Sequence, residues 1–130
     1  PCMLLGLSSG VGSGICVQDI GLTGRTAADG LAVSRCSDFA ARMTAHLVSG
    51  GVTVADERLV PYLRALRETE GLFAEPSACA AFMGPARFAE AAAVLGGAAG
   101  ENACHIVWAT GGALVPQCER ERLLNASDVK

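Results

Sequence analysis

Lysine is all but missing from this chain of 130 residues: Lys130, the last one, is the only example. Chemistry that needs a positioned amine of depressed pKa inside a pocket therefore has no internal candidate. Aromatic residues are scarce at 5%, so within the 51% hydrophobic content a core must be built mainly from Ala, Val and Leu. Basic runs are absent, and the net charge is −3 with a pI near 5.3. That balance gives no footprint for nucleic acid or for an anionic membrane surface. No apolar run approaches the roughly 18 residues of a membrane span, and the first residues do not pass from basic to apolar. An initiator Met is missing too, the chain opening Pro1–Cys2–Met3. Metal-ligand spacing is lacking as well, because Cys2, Cys16, Cys36, Cys79, Cys104 and Cys118 form no CxxC pair.

What is present reads as one domain long enough for a real core. The six thiols are expected to be free, as buried hydrophobes in a reducing cytosol, which makes a cytoplasmic location the expectation. The apolar opening and the terminal lysine are expected of a piece of a longer protein. Residues 1–7 fit a strand or the last turns of a helix. Residues 8–14, SSGVGSG, form a flexible turn whose GVGSG is a weak match to a phosphate loop and fits a surface hairpin-like loop. Alternation of apolar and polar residues over 15–20 predicts a short half-buried strand, broken by glycines at 21 and 24. TAADGLAV at 26–33 is a small-residue segment in which Asp29–Gly30 fits either a local turn or a tightly packed loop.

Ser37 is a good N-cap and Asp38 suits a first helical turn. Phe39, Met43 and Leu47 recur every four residues as its expected buried stripe. Glycines at 50 and 51 should end that helix before a short strand at 52–54. Residues 56–70 carry the clearest amphipathic pattern, with Leu59, Leu63 and Leu66 on one face. Pro61 requires that the regular helix start late or be distorted in its first turn, and Gly71 supplies the stop. A short strand is expected at 72–74. Glu75–Pro76 and Gly84–Pro85 then each open a helix with proline near its start, the second ending at Gly96–Gly97. A loop at 98–103 precedes HIVWATGGALVP at 105–116, where Ile106, Val107 and Trp108 have the composition of a buried strand. Thr110 falls where that strand should end, and Gly111 and Gly112 lack the Cβ atoms that would keep a flat group off the backbone. Ligands of open α/β sheets bind at such an edge. A short polar helix over 117–124 closes the chain. Strands alternating with helices predict an α/β fold with a parallel sheet and right-handed crossovers.

Three segments in this order carry a resemblance: TAADGLAV at 26–33, FAEPSACAAF at 73–82 and HIVWATGG at 105–112. Together the chain resembles the C-terminal portion of the pyridoxal-phosphate-dependent, β-eliminating amino-acid dehydratases of the tryptophan-synthase-β-like fold (fold type II). PCMLLG at 1–6, VQDIG at 17–21 and VWATGGALVP at 107–116 are most similar to the bacterial branch acting on D-serine. The resemblance implies a three-layer fold with a parallel sheet, of which residues 1–130 would be the C-terminal segment of the large domain. It implies a lyase converting D-serine to pyruvate and ammonia, with pyridoxal 5'-phosphate as cofactor and, as in some relatives, a monovalent cation beside it. Thr110 would meet the pyridine nitrogen, with Gly111 beside it as the other cofactor-binding residue. No catalytic or metal-ligating residue of the family falls in this chain. The family's Schiff-base lysine and phosphate loop would lie upstream, and neither Lys130 nor residues 8–14 match them. The 130 residues alone are then expected to be inactive, to need the remainder of the parent chain as partner, and to self-associate through the apolar surface left uncovered.

Two other readings stay open at this level. One keeps the fold and changes the substrate to L-serine or L-threonine. The other is a free-standing, non-catalytic α/β binding module; nucleotide binding through GVGSG is the weakest version of it. Asp29 and Glu75 each fit a local turn or cap as well as a role beside a ligand, and are not placed in the site.

Overall fold

The computed structural model describes residues 1–94 and 102–125. They form two compact units, one over Pro1–Thr53 and one over Val54–Lys130. In the first, the apolar opening is helical: α1 spans Cys2–Ser9 and stops at Gly10, whose φ of 71° only glycine adopts at little cost. Single 3-10 turns follow at Gly12–Gly14, Val17–Ile20 and Asp29–Leu31. Helix α2, Asp38–Thr44, starts at Ser37, whose hydroxyl accepts the Ala40 N–H. The interior of this unit consists of Val17, Ala28, Cys36 and Ala41. Gly6 is pressed against the Cys36 sulfur, so a side chain there would have to displace it.

The second unit opens with a 3-10 turn at Asp56–Arg58 and continues into α3, Leu59–Glu70. Pro61 is the third residue of α3, where an N–H would have no intrahelical acceptor, so no bond is lost. The helix does start late, as the proline required. Gly71 ends it with φ 68° and its N–H on the Arg67 carbonyl. Helix α4, Pro76–Cys79, has Pro76 in its first turn and passes into a 3-10 turn at Ala80–Met83. Helix α5 covers Gly84–Val94 and α6 covers Gln117–Asn125. The core is Leu63, Ala74, Ala78 and Cys79, with Tyr62, Leu66, Phe73, Phe82, Leu123 and Leu124 packed around it. Ala, Val, Leu and Cys supply the buried hydrophobic side chains of both units, as a composition poor in aromatics requires.

The expected α/β parallel sheet is not there. The described residues contain no strand, only an isolated antiparallel bridge between Cys16 and Arg35. Residues 15–20 fold instead around the 3-10 turn Val17–Ile20, because the Asp19 carboxylate takes the Cys16 N–H at 2.8 Å and closes the turn locally. Residues 52–54, 72–74 and 105–112 are irregular. A strand exists only through a ladder with a neighbour, and no described segment offers one. Ile106 and Trp108 consequently stand 90% and 83% exposed. The stripe expected on α2 is corrected as well: Phe39, Met43 and Leu47 face solvent, and small Ala41 is the residue α2 buries. The expected end of α5 at Gly96–Gly97, most of the loop at 98–103, and Lys130 lie outside the described residues.

Candidate functional site

Thr110, Gly111 and Gly112 sit in an irregular segment leading into a turn at residues 113–115 and then α6. Gly111 and Gly112 have φ of 70° and 88°, two consecutive left-handed residues that β-carbon-bearing side chains resist. Gly111 is exposed and Gly112 buried, yet at both the space a Cβ would take is occupied. A Cβ on Gly111 would run into the Glu75 carboxylate, and one on Gly112 would lie 2.5 Å from the Phe73 carbonyl oxygen and 3.1 Å from Ala74 Cα. The space opened by the glycine pair is thus filled by the chain itself, by the segment just ahead of α4.

Glu75 reaches this position because it precedes Pro76, which drives the residue before it into extended backbone, here φ −72° and ψ 150°. Its side chain does not cap its own helix. It accepts the Gly112 N–H at 3.3 Å instead. From the other side comes Arg120 of α6. Its Nη2 donates to the carbonyls of Gly112 and Ala113 at 2.8 and 2.9 Å, and its Nε donates to that of Val115 at 2.8 Å. The guanidinium also lies over the Phe73 ring, 5.1 Å from its centroid. Gly112 is buried, with its N–H and its C=O both held by charged side chains.

Thr110, two residues before the clamped Gly112, is exposed, and among the described residues its hydroxyl has no hydrogen-bond partner. A neutral hydroxyl with free donor and acceptor capacity fits the edge of an aromatic ring nitrogen. A Schiff-base amine is not among the described residues, so the fit extends to one edge of a pyridoxal ring and no further. Sequence reasoning singled out Thr110 and Gly111, left Glu75 aside, and missed Arg120. The one available signal for Arg120 is its place four residues after Pro116, in the first turns of a helix following a glycine-rich turn. That its guanidinium folds back over the turn depends on Phe73, 47 residues earlier, and is not local information.

Other candidates resolve differently. Asp29 is exposed and opens a single 3-10 turn whose carbonyl accepts the Ala32 N–H, the local role that an Asp-Gly pair allows. The GVGSG loop already has an anion: the Asp38 carboxylate takes the Ser13 N–H at 3.2 Å and the Ser13 hydroxyl at 2.8 Å. The Ser13 hydroxyl first, then the Ser13 N–H and Arg42, hold the Asp38 carboxyl below its ordinary range. A phosphate would have to compete with that carboxylate for the same donors, which counts against nucleotide binding there. Burial pushes the Cys79 thiol up to about 11, so it stays neutral. All six cysteines are free. Among the described residues no group of three or more His, Cys, Asp or Glu could hold a metal ion, and no helix is long and apolar enough to cross a membrane.

The chain is homologous over nearly its whole length to proteins named D-serine dehydratase. It is 46% identical to the one from Salmonella arizonae, over 95% of this chain and 29% of that protein. It is 44% identical to the one from Yersinia enterocolitica, over 99% of this chain and 30% of that protein. A probable D-serine dehydratase of Colwellia psychrerythraea is also 44% identical, over 96% of this chain and 29% of its own length. The chain therefore spans under a third of the length of the curated relatives it matches. No family model matches it.

Proposed function

We propose that this chain is the part of a pyridoxal-phosphate-dependent D-serine ammonia-lyase that meets the pyridine-nitrogen edge of the cofactor. The observation that carries the reading is the free, exposed hydroxyl of Thr110 on the rim of a clamped glycine turn. The resemblance to D-serine dehydratases supports the substrate and the reaction class.

When bound, pyridoxal phosphate supplies the electron sink that lets the β-hydroxyl of serine depart, with pyruvate and ammonia as products. Thr110 contributes a hydrogen bond at the ring nitrogen without adding negative charge. A carboxylate in its place would hold a proton at that atom; the hydroxyl does not. Thr110 thereby favours prompt loss of the β-hydroxyl over transamination. Gly111 keeps its main chain close behind that contact, because its own Cβ space is taken by Glu75. The Schiff-base lysine and the phosphate loop belong, on this reading, to upstream residues of a longer chain, in a cytoplasmic enzyme. The 130 residues by themselves are then inactive.

The test is pyruvate release from D-serine and from L-serine, with added pyridoxal phosphate, by the full reading frame carrying this chain and by the 130 residues alone. Turnover of D-serine by the full frame only is the expected result. Preference for L-serine overturns the substrate, and turnover by neither protein overturns the enzyme reading. Thr110→Asp in the active protein should raise transamination relative to elimination. An unchanged ratio removes the role given to Thr110.

A further inference from the structure

We propose that Arg120 is a positioning residue for the cofactor-edge hydroxyl of Thr110, a role that rests on the reading of Thr110 given above. Two left-handed glycines in succession are the most pliable backbone the chain contains between Thr110 and α6. Left to themselves they would let Thr110 wander. One planar guanidinium removes that freedom by taking the carbonyls of Gly112, Ala113 and Val115 together, within 2.8–2.9 Å. Glu75 takes the Gly112 N–H from the opposite side. The clamp is itself seated: the guanidinium lies on the Phe73 ring, and the Phe73 carbonyl is the atom against which Gly112 is packed. One residue thus fixes both the arginine and the turn it holds. Helix α6 is tied at its other end, where Arg64 Nε of α3 donates to the Leu124 carbonyl at 2.9 Å. The helix following the turn is therefore a brace, and Arg120 is where the brace grips.

Arginine is needed for this rather than positive charge alone. Its five donors lie in a rigid plane that can serve three carbonyls at once, whereas an ammonium is a point charge on a flexible stem. Loss of the grip frees Thr110 to shift relative to its contact, and displacement of a reacting group by about 1 Å costs on the order of 10²-fold in rate.

The experiment uses the full reading frame carrying this chain with Arg120→Met, Arg120→Lys, Thr110→Val and the double variant Arg120→Met/Thr110→Val. Three quantities are read: amide hydrogen exchange over residues 111–115, pyridoxal phosphate affinity by absorbance titration, and kcat on D-serine. Arg120→Met should speed exchange in that segment, weaken the cofactor and lower kcat on the order of 10²-fold. Arg120→Lys should behave like Arg120→Met. In the Thr110→Val background, Arg120→Met should add little further loss of cofactor affinity, since both changes remove one contact. Unchanged exchange in Arg120→Met overturns the clamp. Equal losses from Arg120→Met with and without Thr110 overturn the positioning role and leave a structural one. Full rescue by lysine overturns the planar-grip argument. Should Thr110→Val leave affinity and kcat untouched, the Thr110 reading fails and the positioning role with it. Faster exchange in Arg120→Met would still register the clamp, so the two failures can be told apart.

Discussion

Gly112→Ala and Gly71→Ala make a matched pair, because both glycines are left-handed and only one is crowded. Gly71 has φ 68° and nothing within 4 Å of an added Cβ. Its substitution should cost only the backbone term, about 1–2 kcal/mol for a side chain placed in that region. Gly112 has φ 88° and an added Cβ 2.5 Å from the Phe73 carbonyl oxygen. Ordinary contact begins near 3.4 Å, so the turn must withdraw by about 0.9 Å, from backbone rather than from a flexible side chain. The Gly112 N–H to Glu75 bond is already 3.3 Å long and does not survive such a shift. A hydrogen bond to a charged group contributes about 1.5–3 kcal/mol net, so Gly112→Ala should cost about 2.5–5 kcal/mol in all. Urea unfolding followed by circular dichroism at 222 nm reads both variants, since the structured elements are helical. The slope of stability against urea must stay constant for the comparison to hold. Equal destabilisation by the two substitutions would refute the crowding at Gly112 and, with it, the account of why residues 110–112 are fixed.

The first unit should weaken in acid through Asp38. Its folded pKa lies below the ordinary 3.8 because the Ser13 hydroxyl, the Ser13 N–H and Arg42 favour the carboxylate. A lowered folded pKa means that this stabilisation is complete above 3.8 and is lost as pH falls through the depressed value. Asp38→Asn should therefore flatten the acid limb of a melting-temperature profile below pH 4, and an unaltered limb would show that the Ser13 contacts contribute nothing. The cysteines should separate by reactivity. Cys104 and Cys118 are exposed, while Cys36 and Cys79 are buried and burial pushes the Cys79 thiol up to about 11. Alkylation at pH 8 with peptide mapping should label Cys104 and Cys118 first and Cys79 last; early labelling of Cys79 would contradict the packing of the second unit.

The features that were legible in the sequence are those written within a few residues. Ser37 announces the start of α2 because its cap bond reaches only to Ala40. Gly71 announces the end of α3, and Glu75–Pro76 and Gly84–Pro85 announce the starts of α4 and α5, because helix ends are satisfied locally. Strands are not legible for the complementary reason. β-Branched and aromatic residues mark a surface that fits a neighbour on a pleated sheet, and the neighbour is not in the pattern. Ile106–Val107–Trp108 has the composition without the ladder. Periodicity misleads on α2 in the same way: Phe39 and Met43 do share a face, Leu47 falls beyond the helix end, and a face is buried only if something covers it. Ala41, too small to weigh in a hydrophobic pattern, takes the interior position.

The glycine pair shows how a correct residue choice can rest on the wrong support. The sequence pattern puts Thr110 at the end of a strand, where a sheet would hold it and the missing Cβ atoms would admit a ligand. In the structure no ladder holds it. The Cβ space belongs to Glu75 and Phe73, and the second glycine of the pair is gripped by an arginine from the next helix. The two charged anchors of Gly112 lie 37 residues before it and 8 after it. A short glycine motif therefore carries no information about its own rigidity; Glu75 and Arg120 do. Under the proposed function, substitutions at those two positions should alter the use of the cofactor edge more than changes among the exposed apolar residues of 105–108, although the latter look more like the walls of a site.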